Sequence, residues 1–117
     1  MAFRFEGLQI WNQALQLSVE VNDLAKTFPS FELHSLSSQI RRASDSVVLN
    51  IAEGSTGQSK LEFCRFLRYA LRSGIEVVSC IFIAREKGYL SEDVFRQFYI
   101  KYEHLCKMIT NFQKSLQ

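Results

Sequence analysis

Ile40, Ala43, Val47, Ile51 and Gly54 recur at alternating spacings of three and four residues, which holds all five on one face of an α-helix. That face must turn toward a partner. Arg41 and Arg42 leave it, so the segment is a packing seam with a pair of guanidinium groups beside it.

One proline and five glycines in 117 residues leave little material for strands joined by tight turns, and an all-helical protein fits best. The length is that of a single domain, enough to bury about two-thirds of the surface of the unfolded chain around one core. The formal charge of +2 does not announce a nucleic-acid binder by its size, so the distribution of charge has to decide. Cys64, Cys80 and Cys106 are odd in number and lack C-x-x-C spacing, which points to reduced thiols in a cytosolic setting. The segment Met1-Ala2-Phe3-Arg4-Phe5-Glu6 has no apolar signal core, and no window approaches the run of about 18 apolar residues that a membrane span requires. A soluble, cytoplasmic protein is expected.

Punctuation divides the chain into four helices, at about 7–26, 31–55, 59–87 and 91–115. Pro29 ends the first, because the residue before a proline is biased away from helical geometry. The second starts at about Phe31 or Leu33, with Ser30 as its cap and Glu32 as a negative charge in its first turn. Ser59-Lys60-Leu61-Glu62 reads as a capping box for the third. Gly88 suits a left-handed helix end, Ser91 caps the fourth helix, and Leu90 with Phe95 are placed to staple its entry. Connections this short make sequential helices antiparallel neighbours, which gives an up-down-up-down four-helix bundle over 1–117.

Several segments carry a resemblance: Phe5, Leu8 and Trp11; Phe28-Pro29 and Glu32; the run Gln39 to Ala43 with Asn50-Ile51-Ala52-Glu53-Gly54; and Gly88-Tyr89-Leu90. In this order and spacing they resemble the four-helix-bundle proteins encoded by intervening sequences of bacterial 23S ribosomal RNA genes. Those are similar in turn to accessory proteins of diversity-generating retroelements. The resemblance implies a non-enzymatic bundle, nucleic-acid binding as in some members, and side-by-side packing into rings of five subunits. The chain departs from the family pattern at Leu49, where relatives often have proline, and at Arg72, where glycine commonly precedes the serine that is Ser73 here. The first should straighten the second helix, and the second adds charge where relatives pack closely.

The apolar arc of the first helix is wide: Trp11, Leu15 and Val19 form one seam, and Ile10, Ala14, Leu17, Val21, Leu24 and Phe28 another. In the second helix Val48, Leu49 and Ala52 lie away from the main stripe. The surplus points to self-association, with Trp11, Leu17, Val48, Leu49 and Ala52 as candidate interface residues.

Arg65, Arg68 and Arg72 share one strip of the third helix, opposite Phe63, Phe66, Ala70 and Val77. Like charges at these spacings repel by a few tenths of a kcal/mol per pair, so the strip calls for neutralising partners. Together with Arg41, Arg42 and Lys60 it makes a candidate surface for RNA or DNA phosphates, with docking of a partner protein as part of the same reading. The alternative is a structural scaffold in which Asp45, Glu53 and Glu76 pair with these arginines within the bundle or across subunits. Both readings stand for Arg41 and Arg42. Asn50 is expected as a buried amide bonded to a neighbouring helix, and Glu53 as a cap or ion-pair residue.

Enzyme chemistry has little support. His34 and His104 are far apart, and neither stands at helical spacing from a Cys or another His, so no metal site is expected. Gly54-Ser55-Thr56-Gly57-Gln58-Ser59-Lys60 misses the spacing of a phosphate loop and reads as a helix end followed by a cap. Arg96 and His104 are two turns apart, too far to serve as a ribonuclease pair. No cofactor, small-molecule substrate or membrane partner is implied.

Overall fold

A computed structural model describes residues 2–57 and 59–117. Its helices are α1 (Gln9–Ala25), α2 (Leu36–Gly54), α3 (Lys60–Glu86) and α4 (Glu92–Ser115), with single 3-10 turns at Arg4–Gly7 and Ser30–Glu32. Each helix packs on its neighbour in sequence, and α4 closes against α1 through the thinnest of the helix contacts. Diagonal pairs make no comparable contact, so the arrangement is an up-down-up-down four-helix bundle, 43 Å long and 22 Å across.

The predicted stripe is the α2 contribution to the core: Ile40, Ala43, Val47, Ile51 and Gly54 are all buried. It meets Ile10, Ala14, Leu17 and Val21 of α1, Leu67, Ala70, Val77 and Ile81 of α3, and Tyr102, Leu105 and Ile109 of α4. Gly54 lets α3 come close. A Cβ there would stand 2.8 Å from Cδ1 of Phe63 and 2.8 Å from Cβ of Phe66, the second an atom that moves only with the α3 backbone. Helix propensity alone would favour Ala over Gly by about 1 kcal/mol, less at a last turn. Overpacking of this kind costs about 1–3 kcal/mol, so Gly54→Ala is expected to destabilise, and a rise in the urea midpoint would contradict the close approach.

The helix ends follow their local chemistry. Ser59 Oγ accepts from the Glu62 N–H at 3.0 Å, and Ser91 Oγ accepts from the Val94 N–H at 3.2 Å. The reciprocal half of the expected capping box is replaced by an ion pair of Glu62 with Arg65 at 2.7 Å. Gly88 has φ +80°, and the N–H groups of Gly88 and Tyr89 reach the carbonyls of Arg85 and Ala84, both at 2.9 Å, which closes α3 in a Schellman motif. Leu90 and Phe95 both join the core at this corner.

Two starts differ from the sequence reading. α1 begins at Gln9, after a separate turn in which the Phe3 N–H donates to the Glu6 carboxylate at 2.9 Å. α2 begins at Leu36 and not near residue 31, and Ser30 does not cap it. The cause is Glu32, which turns inward and accepts from Ser35 Oγ at 2.7 Å and from the Leu36 N–H at 3.3 Å. Its other carboxylate oxygen takes Tyr89 Oη at 2.7 Å and Lys87 Nζ at 2.9 Å. Glu32 therefore fastens the start of α2 to the α3–α4 corner.

Two of the candidate interface residues also need correction. Leu17 is 1% exposed and Val48 8%, so both belong to the subunit's own core. Trp11 packs on Phe5 with ring centroids 4.6 Å apart, and Ala52 is half-buried; Leu49, 61% exposed, is the one candidate that stands on the outside. In a bundle each helix touches two neighbours, which makes a wide apolar arc a requirement of the fold itself.

Candidate nucleic-acid interface

Spacing places the arginines of α3. Phe63, Leu67, Ala70, Gly74 and Val77 take the inner face, and this leaves Arg65, Arg68 and Arg72 exposed on the outer one. Arg65 is engaged locally, by Glu62 and by stacking 5.6 Å above the Phe66 ring. Among the described residues, Arg68 and Arg72 have no carboxylate within 4.0 Å.

The other candidate cations lie at separate places. Arg42 is exposed and lines a polar cleft between α2 and α3 with Ser73 and Glu76 of α3. Arg41 is half-buried, and its Nε donates to the Ser37 carbonyl at 3.2 Å, so it is held against its own helix. Lys60 lines a second cleft, of about 250 Å³, at the start of α3. Arg4 lines the same cleft and stacks 5.1 Å above the Phe63 ring. Sequence reasoning missed Arg4, because only the fold of the N-terminal turn brings it beside Lys60.

Asp45, Glu53 and Glu76, the carboxylates that could have neutralised these cations, form no ion pair with them among the described residues. Asp45 accepts from Ser18 Oγ at 2.6 Å and from Asn22 Nδ2 at 3.2 Å, both on α1. Glu76 accepts from Gln39 Nε2 at 3.3 Å, and Glu53 is exposed. Pairing of Asp45, Glu53 or Glu76 with Arg41, Arg42, Arg68 or Arg72 is absent among the described residues. Asn50 also departs from its expected role. Its Nδ2 donates back to the Ser46 carbonyl at 2.8 Å and to Ser46 Oγ at 3.0 Å, and Ser46 makes the link to α3 through Ser73 Oγ at 2.9 Å.

Neither an activated thiol nor a metal-ligand cluster is present among the described residues. Burial, with a smaller push from Glu76, raises the Cys80 thiol to about 11, and burial also raises Cys106, the opposite of an activated cysteine. Among the described residues no three His, Cys, Asp or Glu side chains gather as metal ligands. His34 and His104 are both exposed. No described helix is long and apolar enough to cross a membrane.

Fold and surface together define an all-α four-helix bundle with an outward strip of arginines. The chain belongs to the family described as 23S rRNA-intervening sequence protein, whose model matches residues 6–111. Among solved structures it is similar to a protein with unknown function from the S23 ribosomal protein family of Bacteroides thetaiotaomicron VPI-5482. That match has 20% identity and a TM-score of 0.80, covering 90% of this chain and 98% of the other, and it bears on the fold alone. No curated protein matches the chain. Neither description names an enzymatic activity.

Proposed function

We propose that this protein is a non-enzymatic, self-associating cytoplasmic bundle that binds RNA or DNA through phosphate contacts made by α3. The observation that carries the reading is the exposure of Arg68 and Arg72, with no carboxylate partner among the described residues. Two adjacent guanidinium groups left this way repel each other on a helix surface, and a polyanion relieves that repulsion while releasing its own counterions. Arg65, Arg42 and Lys60 extend the surface; Arg41, held by Ser37, is not part of it. Self-association is supported by large apolar side chains left exposed on a 13.6 kDa chain, among them Leu15, Val19, Leu49, Ile75, Phe82 and Ile100. Five subunits is the number the family resemblance implies.

Salt-titrated binding to a generic RNA tests the surface. Arg68→Gln and Arg72→Gln should each weaken binding alike across sequences and lower the slope of log K against log salt by up to about 0.9. Arg65→Gln should do less, since Glu62 already engages that side chain. Sedimentation of the same variants should show an unchanged oligomer. If the arginines serve subunit contacts instead, assembly shifts first and the salt slope stays. Wild-type protein that binds neither RNA nor DNA at low salt overturns the reading, and a monomer at micromolar concentration overturns its oligomeric part.

A further inference from the structure

An open cleft of about 550 Å³ lies between α2 and α3, within the range of roughly 300–1,000 Å³ that ligand-binding clefts occupy. Its chemistry differs from the rest of that helix pair: Ala43 is the one apolar residue among the nine that line it. Ser46 and Ser73, half-buried and 2.9 Å apart through their hydroxyls, bridge the helices there. Arg42 and Glu76 both line the cleft, yet neither is in an ion pair among the described residues. Glu76 holds only the Gln39 amide, at 3.3 Å, and the hydroxyl of Ser38 has no protein partner among the described residues. Opposite charges that share a cleft without meeting are free to bond to different parts of one ligand.

The position of the cleft says what that ligand is. Glu76 follows Arg72 by one helical turn, so the cleft lies at the end of the strip Arg65, Arg68, Arg72. A nucleic-acid strand that follows the strip arrives with a phosphate for Arg42. A carboxylate repels phosphate, so the group that meets Glu76 must be a hydrogen-bond donor; a ribose hydroxyl is the same on every nucleotide and carries no preference among bases, whereas the N–H donors of the bases differ from one to the next. Guanine offers two side by side, at N1 and at the exocyclic N2, matching the two oxygens of a carboxylate. Uracil offers one N–H between two carbonyl oxygens, and adenine and cytosine one amino group beside an unprotonated ring nitrogen, so in each a lone pair of the base faces and repels the second carboxylate oxygen. In a duplex these Watson–Crick edges are already paired, and single strands leave them open. On the reading of α3 as a phosphate-binding surface, we infer that the Arg42–Glu76 cleft is a pocket for an unpaired guanosine of a single-stranded nucleic acid.

The test compares a short uridine RNA tract with the same tract carrying isolated guanosines, at fixed salt, against wild-type protein and Glu76→Gln. Wild type should prefer the guanosine tract by about tenfold, the size of one well-formed base contact. Glu76→Gln should abolish that preference by weakening the guanosine tract alone. The sign is diagnostic, because removing a surface carboxylate that merely repels RNA would strengthen binding to both tracts. Equal binding of the two tracts by wild type, or equal strengthening of both in the variant, overturns the pocket and leaves the arginine surface standing. A guanosine preference that survives Glu76→Gln also overturns it. If neither tract binds wild type at low salt, the arginine surface fails and the pocket fails with it. Glu76 is exposed, and an unchanged melting curve together with unweakened uridine-tract binding shows that the variant is folded.

Discussion

Ile51→Ala is expected to destabilise the protein by about 2–5 kcal/mol. Ile51 is 0% exposed and belongs to the stripe that meets the other helices. The change removes three carbon atoms, losing their transfer free energy and leaving a cavity that rigid neighbouring helices close only in part. Against a total stability of about 5–15 kcal/mol, such a loss is a large fraction of the whole. The urea midpoint reports it, with an unchanged slope if the denatured state is unaffected. Leu49→Ala, two residues earlier on the same helix but 61% exposed, is the matched control and should cost far less in the isolated subunit. A loss below about half a kcal/mol for Ile51→Ala would mean that the stripe is not the core face of α2.

That stripe was legible because its information is local: a three-and-four spacing of apolar residues can be read without knowing the partner. The same holds for Ser59, Gly88 and Ser91, whose bonds reach three or four residues along the chain. The division between core and outward apolar residues was not legible in this way. Leu17 and Val48 look like surplus when one seam per helix is assumed, and cease to be surplus once each helix has two neighbours. Arg41 and Arg42 are adjacent in sequence, but 100° of helical rotation sends them to different surroundings, Ser37 in one case and the α2–α3 cleft in the other. Glu32 is the extreme case. Its decisive partners, Lys87 and Tyr89, lie 55 and 57 residues away, and nothing near it in sequence distinguishes it from an ordinary helix-start acid. Its place in the segment that carries the family resemblance was the available signal, and the contact with Gly88-Tyr89-Leu90 explains why the two segments go together.

Glu32 sets the expected response to acid. Donation from Ser35, Tyr89 and Lys87 outweighs burial and holds its carboxyl at about 2, below the ordinary 4.5. A lowered folded-state value means that the unfolded chain binds the proton more readily, so this contribution is complete above pH 4.5 and is lost as pH falls toward 2. Glu32→Gln keeps the shape and removes the titration. Wild type should therefore lose stability between pH 4.5 and 2 by more than the variant does, and the two should converge at the acid end. At neutral pH the variant should be the less stable of the two, because Lys87 and Tyr89 lose a charged acceptor in a buried position. Tyr89→Phe removes one of the donors that lower the carboxyl, and so should move the acid loss to higher pH without abolishing it. Urea midpoints collected across this range decide the matter. Parallel curves for wild type and Glu32→Gln would show that the carboxylate titrates alike folded and unfolded, and would reduce the link between α2 and the α3–α4 corner to a contact without energetic weight.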